Sequence, residues 1–355
     1  MNLHPGELAS PGFFLSLKVH SVILQVQQLS KHYPDSPQAG LEPLSFQVKA
    51  GEILAIIGES GSGKSTLLKC IYGLLTPDTG EILFEGKHVK GPTEQLVPGH
   101  LEMKMVAQDF ALNTYAKVYD NVASMLSNTN VAAKESNTLK MLANLHLMHV
   151  KDKRAIELSG GEQQRVAIAK ALISKAKMLL FDEPFSQIDT LLKNQLRSEI
   201  KQIAKAQGKS VILVSHDPAD GLSLADKVLI LKKGQLMAYG SKDSLYENPP
   251  NLYTAQMLGH AQSLPQNQAL ALGIDSSRGI YFYPEWVKLF TTAESHQINP
   301  QKRRSFEITY MAFKGHYSEL TLVSGDIRIR AYDYFPQRHK KSDLVYIELN
   351  RFFQI

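Results

Sequence analysis

Residues Gly58–Thr66 read GESGSGKST, and no other stretch limits so sharply what this chain can fold into. Gly58, Gly63, Lys64 and Ser65 fill the pattern G-x-x-x-x-G-K-[ST], in which a glycine-rich turn closes backbone N–H groups around phosphate oxygens. Such a turn needs a strand to deliver it and a helix to leave it, because the helix N-terminus adds a dipole that favours the anion. Both flanks are present: the apolar run Ile53–Ile57 precedes the turn, and the helix-like LLKCIYGLL follows. Ser60, Gly61, Ser62 and Thr66 complete the cradle. Lys64 would reach the β- and γ-phosphates, and the Ser65 hydroxyl would ligate Mg²⁺.

The rest of the N-terminal region has the texture this loop requires. Short aliphatic runs alternate with helical stretches from Val22 to about Leu231, which predicts an α/β domain on a largely parallel sheet. The strand candidates are Val22–Val26, Leu44–Val48, Glu52–Ile57, Ile82–Phe84, Lys104–Ala107, Met178–Phe181, Val211–Ser215 and Val228–Leu231. Leu44, Phe46 and Val48 alternate with polar neighbours, as on a half-buried strand near a sheet edge, whereas Ile53–Ile57 and Met178–Phe181 are continuous and belong at the centre. Residues 109–175 carry helical material only, such as Ala133–Met148, and predict a helical insertion. His146 and His149 are spaced to share a helix face there, but no Cys or carboxylate nearby in sequence completes a metal set, so they are ordinary histidines.

MLLFDEP, Met178–Pro184, supplies the chemistry that complements the loop. Its apolar residues make a buried strand and bring Asp182 to the C-terminal end, where open α/β sheets bind ligands. Asp182 suits Mg²⁺ held through water, and Glu183 suits a general base for an attacking water.

Between those two motifs lies LSGGEQQR, Leu158–Arg165, which closely resembles the signature of the ATP-binding cassette (ABC) family, whose ATPase subunits power membrane transporters. Other family landmarks follow in order. Tyr33 in KHYP resembles the aromatic residue that stacks on adenine, and Gln108 in VAQDF the glutamine that touches Mg²⁺ and the attacking water. Asp189 in SQID lies in the loop after the catalytic glutamate, and His216 in VSHD resembles the histidine at the γ-phosphate. The resemblance covers about Val22 to Gly259, and its stretch from His216 onward looks like the importer branch. It implies that Lys64, Gln108, Glu183 and His216 act on ATP in their own chain. Ser159, Gly160 and Gly161 would instead cap ATP bound by a second copy, or a related ATPase, in a head-to-tail dimer. The physics of the motif agrees, since a hydroxyl, two glycines and a helix start form a second anion site that one chain binding one ATP would not need.

The resemblance thus implies an α/β fold, a P-loop NTPase sheet with a helical insertion, followed by a small all-β, OB-like barrel. It also implies the ATP-hydrolysing subunit of an importer, seated peripherally on the cytoplasmic face of a bacterial inner membrane. Such a subunit works with separate permease subunits and, indirectly, a solute-binding protein. The rival reading is a non-transport cassette ATPase acting on nucleic acid or the ribosome. Relatives of that kind carry a long coiled coil, zinc-binding cysteines or a second cassette, and this chain shows one cassette, one cysteine and no sustained heptads.

Length and composition are compatible with that division. The 355 residues suggest two domains, with expected boundaries at 1–21 for an N-terminal extension, 22–260 for the ATPase, 261–275 for a linker and 276–355 for the C-terminal domain. The linker expectation rests on Ala261–Ala269, rich in Gln, Asn and Ala around Pro265. Beyond it Phe306–Phe313, Leu320–Val323, Ile327–Ala331 and Leu344–Leu349 alternate as short strands, with turns at Lys314–Gly315 and Ser324–Gly325, and predict a small barrel resembling the transport-associated domain of importer ATPases. From residue 270 on, 12 Lys and Arg stand against 9 Asp and Glu without a clear aromatic platform, so the tail charge is solvated surface and no nucleic-acid partner is expected. The overall +5 is too small an excess to imply nucleic-acid binding from composition alone. No apolar run approaches the roughly 18 residues of a membrane span, and Cys70 alone cannot form an internal disulfide. Phe13–Leu17 faintly resembles a signal core but lacks a basic leader, which leaves a loose extension.

Overall fold

The computed structural model describes residues 21–34, 36–107, 110–300, 303–335 and 338–355, with backbone only at 36–38. The expected N-terminal extension, Ser21 excepted, and Gln108 lie outside the described residues.

Two sheets build the N-terminal region. The first is antiparallel, in the order β2 (Ser36–Lys49), β1 (Val22–Tyr33), β4 (Thr79–Phe84) and β5 (Lys87–His88). The half-buried alternation at Leu44–Val48 thus lies on an edge strand, as its pattern predicts, and the sheet it edges is the antiparallel one. The second has the order β10 (Gln235–Ser241), β9 (Lys227–Lys232), β3 (Ile53–Gly58), β8 (Ser210–Ser215), β7 (Met178–Asp182) and β6 (Met103–Val106). It is parallel except for β10, which returns antiparallel from β9. Every residue of β3, β7 and β8 is buried, as continuous apolar runs predict for central strands. Each buried Leu or Ile there contributes roughly 1.5–3 kcal/mol. Apolar clusters fill both faces: one joins Leu54, Ile56 and Leu180 to α1 (Lys64–Tyr72), the other joins Ile57, Leu179 and Phe181 to the helices.

Between β6 and β7 the described chain runs through α2 (Val118–Ala123), α3 (Val131–Asn144) and α4 (Gly160–Ile173), with short 3-10 turns. Helix α3 ends before His146, whose backbone is left-handed (φ 54°), so His146 and His149 do not share a helix face. Each instead meets a carboxylate distant in sequence, Glu199 at 2.9 Å and Glu162 at 3.3 Å. Helices α5 (Thr190–Ala206), α6 (Pro218–Leu224), α7 (Lys242–Glu247) and α8 (Leu252–Gly259) complete this region. Cys70 is a core residue, and burial pushes its thiol up to about 12.

Residues 261–275 are folded rather than a linker. Gln262–Leu264 is strand β11, paired with β12 (Ile280–Phe282), and Gln266–Ala271 is helix α9. Amides dominate the composition of this stretch, but Leu264, Ala269, Leu272 and Ile274 are the residues that enter the C-terminal core. Strand β12 also pairs with β18 (Phe353–Gln354). A five-stranded antiparallel sheet follows, in the order β13 (Val287–Thr291), β17 (Leu344–Leu349), β14 (Ser305–Phe313), β15 (Ser318–Ser324) and β16 (Ile327–Asp333). It curls until β13 approaches β16 around Phe306, Ile308, Leu322 and Ile329. Tyr281 and Tyr283 join this region to α7 and α8, donating to the carbonyls of Pro249 and Tyr246 at 2.9 and 3.0 Å.

Candidate functional site

The turn after β3 and the ends of β7 and β8 converge on one cleft of about 290 Å³, lined by Ala39, Gly40, Ser60, Gly61, Gly63, Lys64, Ser65, Thr66, Glu183 and His216. Gly63 begins α1 with φ 97°, and a Cβ there would stand 2.6 Å from the Gly40 carbonyl oxygen, so only glycine closes this turn. Gly58 and Ser62 build the loop without lining it: the Ser62 N–H donates to the Glu59 carbonyl at 3.2 Å, and the Gly234 N–H donates to the Ser62 carbonyl at 3.1 Å.

Lys64 is 6 % exposed, and its Nζ donates to the carbonyls of Gly58 and Glu59 at 2.8 Å each. Burial lowers its pKa, while the carboxylates of Glu183, Asp182 and Glu59 raise it, which suits an ammonium kept for an anionic ligand. Ser65 Oγ donates to Asp182 Oδ1 at 3.0 Å. Burial pushes the Asp182 carboxyl above its ordinary range against the opposing pull of Ser65, Lys69 and Lys64. A hydroxyl and a carboxylate oxygen this close form a hard-oxygen donor pair, which fits Mg²⁺.

Glu183 is held in the left-handed region, φ 55°, a strain on the order of 1 kcal/mol that residues persist in chiefly at functional sites. Its Oε2 meets Nδ1 of His216 at 2.5 Å, and the histidine is 63 % exposed toward the cleft mouth. Tyr33 does not line this cleft but stands beside it, with its hydroxyl 3.2 Å from that of Thr66.

Ser159, Gly160, Gly161 and Asp189 are absent from this cleft. They line a second one with Glu162, Arg165, Gln187, Ile188 and Leu192, and the two clefts share none of the described residues. Ser159 caps α4, its Oγ accepting from the Glu162 N–H at 3.3 Å, while its own N–H and hydroxyl donate to the Glu162 carboxylate at 2.9 and 2.8 Å. The Ser159 N–H holds that carboxylate below its usual range. Asp189 precedes α5 and makes no side-chain capping bond there.

Two networks escaped the sequence reading. Gln164 ties α4 to the turn after β7. Arg197 on α5 donates to Asp217 at 3.1 Å and to Asp220 at 2.7 Å; Asp220 also accepts from Ser215 Oγ, which fixes the turn that carries His216. A buried arginine in a helical run gives no sequence signal until its acidic partners are folded beside it.

A phosphate loop with a buried lysine, whose serine meets a carboxylate at the end of β7, two strands away in the sheet, defines a P-loop nucleoside triphosphatase. The separate capped glycine turn narrows the class to those of cassette type. Residues 41–186 match the family described as ABC transporter. The Fe(3+) ions import ATP-binding protein FbpC of Haemophilus influenzae is 33 % identical, with 86 % of this chain and 90 % of the relative covered. The spermidine/putrescine import ATP-binding protein PotA of Lawsonia intracellularis is 34 % identical over 78 % of this chain and 73 % of the relative. Among solved structures, the ATP-binding cassette MJ0796, a dimer in a post-hydrolysis state bound to ADP and Pi, superposes with a TM-score of 0.54 at 26 % identity, covering 62 % of this chain and 98 % of the other. The chain belongs to the ABC transporter family, as a P-loop ATPase with a small all-β C-terminal region.

Proposed function

We propose that this chain is the ATP-hydrolysing subunit of an importer and that two copies, or one copy and a related ATPase, close head to tail around two ATP. The observation that supports the reading is the separation of the phosphate-loop cleft from the Ser159–Gly161 cleft, two half-sites that share none of the described residues. In each site the loop of one chain grips the phosphates through backbone N–H groups and Lys64, and the partner's Ser159, Gly160 and Gly161 cap them through a hydroxyl and a helix start. Asp189, beside that turn, also faces the partner's nucleotide.

Ser65 and Asp182 would hold Mg²⁺, with Gln108 as the third group. When bound, the ion neutralises the charge that builds on the phosphates. Glu183 takes the proton of the attacking water, and His216, hydrogen-bonded to Glu183, orients it and faces the γ-phosphate. Tyr33 stacks on adenine. Closing and reopening of the dimer moves the helical segment that follows Gln108 and so drives separate permease subunits, placing the protein peripherally on the cytoplasmic face of the inner membrane. A solute-binding protein takes part only through the permease. Relatives named for ferric iron and for polyamines match about equally well, which leaves the solute to the permease.

Mixing two inactive variants tests the composite site. Lys64→Ala and Ser159→Arg each damage both sites of their own homodimer, but a mixed dimer joins an intact Lys64 to an intact Ser159 at one site in two. Tagged heterodimers should regain nucleotide occupancy at that site. Heterodimers that bind no more nucleotide than the parents would sink the trans assignment of Ser159, Gly160 and Gly161.

A further inference from the structure

Gln164 lies in the second turn of α4, is 2 % exposed, and uses both ends of its amide on a single target. Its Nε2 donates to the Glu183 carbonyl at 2.9 Å and lies 3.4 Å from Ser186 Oγ, while its Oε1 accepts from the Gln187 N–H at 3.2 Å. These partners form the turn that follows β7. The Glu183 N–H is engaged as well, donating to the Val214 carbonyl on β8 at 3.0 Å. The two peptide groups of a left-handed, non-glycine residue are thus held by different elements, the N–H by a strand and the carbonyl by Gln164 together with the Ser186 N–H and hydroxyl at 3.2 and 3.1 Å.

The neighbouring glycines lock the same turn. A Cβ on Gly160 would come 2.2 Å from Gln187 Oε1, and one on Gly161 would come 2.7 Å from the Gln187 carbonyl oxygen, so α4 packs onto the residue whose N–H Gln164 holds. The start of α4 and residues 183–187 are therefore packed and hydrogen-bonded directly to each other. With its backbone set in this way, Glu183 places its carboxylate against His216 Nδ1.

We propose that Gln164 is a positioning residue for hydrolysis: it fixes the backbone of Glu183 in its own chain, so that the helix whose N-terminus caps the partner's nucleotide also aims the carboxylate that serves its own. The proposal rests on the reading of Glu183 as the group that activates water. It predicts a specific pattern of loss. A buried amide that merely stabilised the fold would affect nucleotide binding and melting temperature together, whereas a positioning residue acts on turnover through one other side chain.

Gln164→Met keeps the size and removes both hydrogen bonds. In the full-length protein kcat should fall roughly a hundredfold, the cost of misplacing a reacting group by about 1 Å, with KM for ATP within about twofold of wild type. In a Glu183→Gln background the same substitution should cost less than about twofold, because the group it positions is already disabled. Gln164→Glu, which matches the wild-type shape, provides a second route. Its carboxyl can donate to the Glu183 carbonyl only while protonated, so its rate relative to wild type should fall as pH rises. An equal fold-loss in both backgrounds, an unchanged kcat, or a Gln164→Glu to wild-type ratio that is flat with pH would overturn the role of Gln164. Full activity of Glu183→Gln alone would instead overturn the reading on which it rests.

Discussion

Polar side chains serve different ends in the central sheet and in the C-terminal sheet. At the carboxyl ends of β3, β7 and β8 they gather into pairs that face one another across strands: Ser65 with Asp182, Glu183 with His216, Ser215 with Asp220 and Arg197. In the C-terminal region they close turns. Ser276 Oγ donates to the Gly279 carbonyl at 2.7 Å and accepts its N–H at 3.1 Å, and Asp333 accepts the Phe335 N–H at 3.0 Å. The difference teaches where chemistry resides in this chain: a parallel sheet brings several strand ends to one edge, whereas an antiparallel sheet separates them.

The sharpest way to break that contrast is Glu183→Gln, which keeps shape and removes the proton acceptor. Hydrolysis should fall by about 10²-fold or more while ATP binding persists. Phosphate release against affinity for a fluorescent ATP analogue measures both, and unchanged turnover would show that the paired groups at the strand ends do not carry the reaction.

Phe306→Ala probes the other sheet. Phe306 is fully buried among Ile308, Leu322 and Ile329, and its truncation should cost about 3–5 kcal/mol in the C-terminal region. ATP affinity should stay within about twofold, because every group lining the phosphate cleft lies upstream of that region. Calorimetric unfolding together with nucleotide titration tests this. Parallel loss of both would mean that the seam of Tyr246, Tyr281 and Tyr283 makes the two regions one cooperative unit.

Tyr33→Ala should weaken ATP binding by roughly 1–3 kcal/mol if the ring stacks on adenine. Tyr33→Phe keeps the ring and loses the contact with Thr66, at a cost of about 0.5–1.5 kcal/mol. Isothermal titration of both variants separates stacking from a structural role, which would be indicated by equal losses.

The same contrast explains what the sequence made legible. Phosphate binding demands particular residue types at fixed spacing, so Gly63, Lys64 and Ser65 could be read directly, and the apolar runs of β3 and β7 are visible because burial on both faces leaves no polar interruption. Strand β10 escaped because QLMAYGS is half-buried on an antiparallel edge and alternates poorly. The fold of residues 261–275 escaped because Gln262 turns its amide to the backbone of Arg330, donating at 2.6 Å and accepting at 2.7 Å, so a residue that looks like linker is a tether. Gln164 stood in plain view inside LSGGEQQR, but its partners are set by tertiary packing and leave no local pattern.

Lys209 tests the contrast at its weakest point, the opposite end of the same sheet. It directly precedes β8, whose far end leads to His216, and it is 6 % exposed. Its Nζ donates to the Ser174 carbonyl, and burial alone pushes its pKa down to about 8. The unfolded chain has an ordinary lysine near 10.4, so between about pH 8 and pH 10 the unfolded state binds more protons and stability rises with pH. Below about pH 8 both states are charged and the native state carries the full cost of burying the ammonium. Lys209→Met keeps the aliphatic stem and removes the charge. It should therefore stabilise the protein by about 1 kcal/mol at pH 7, with the advantage fading toward pH 10. Urea unfolding at the two pH values measures the difference. If Lys209→Met is less stable than wild type at pH 7, the bond to Ser174 outweighs the burial, and polar groups at the amino ends of these strands contribute to stability just as those at the carboxyl ends contribute to the site.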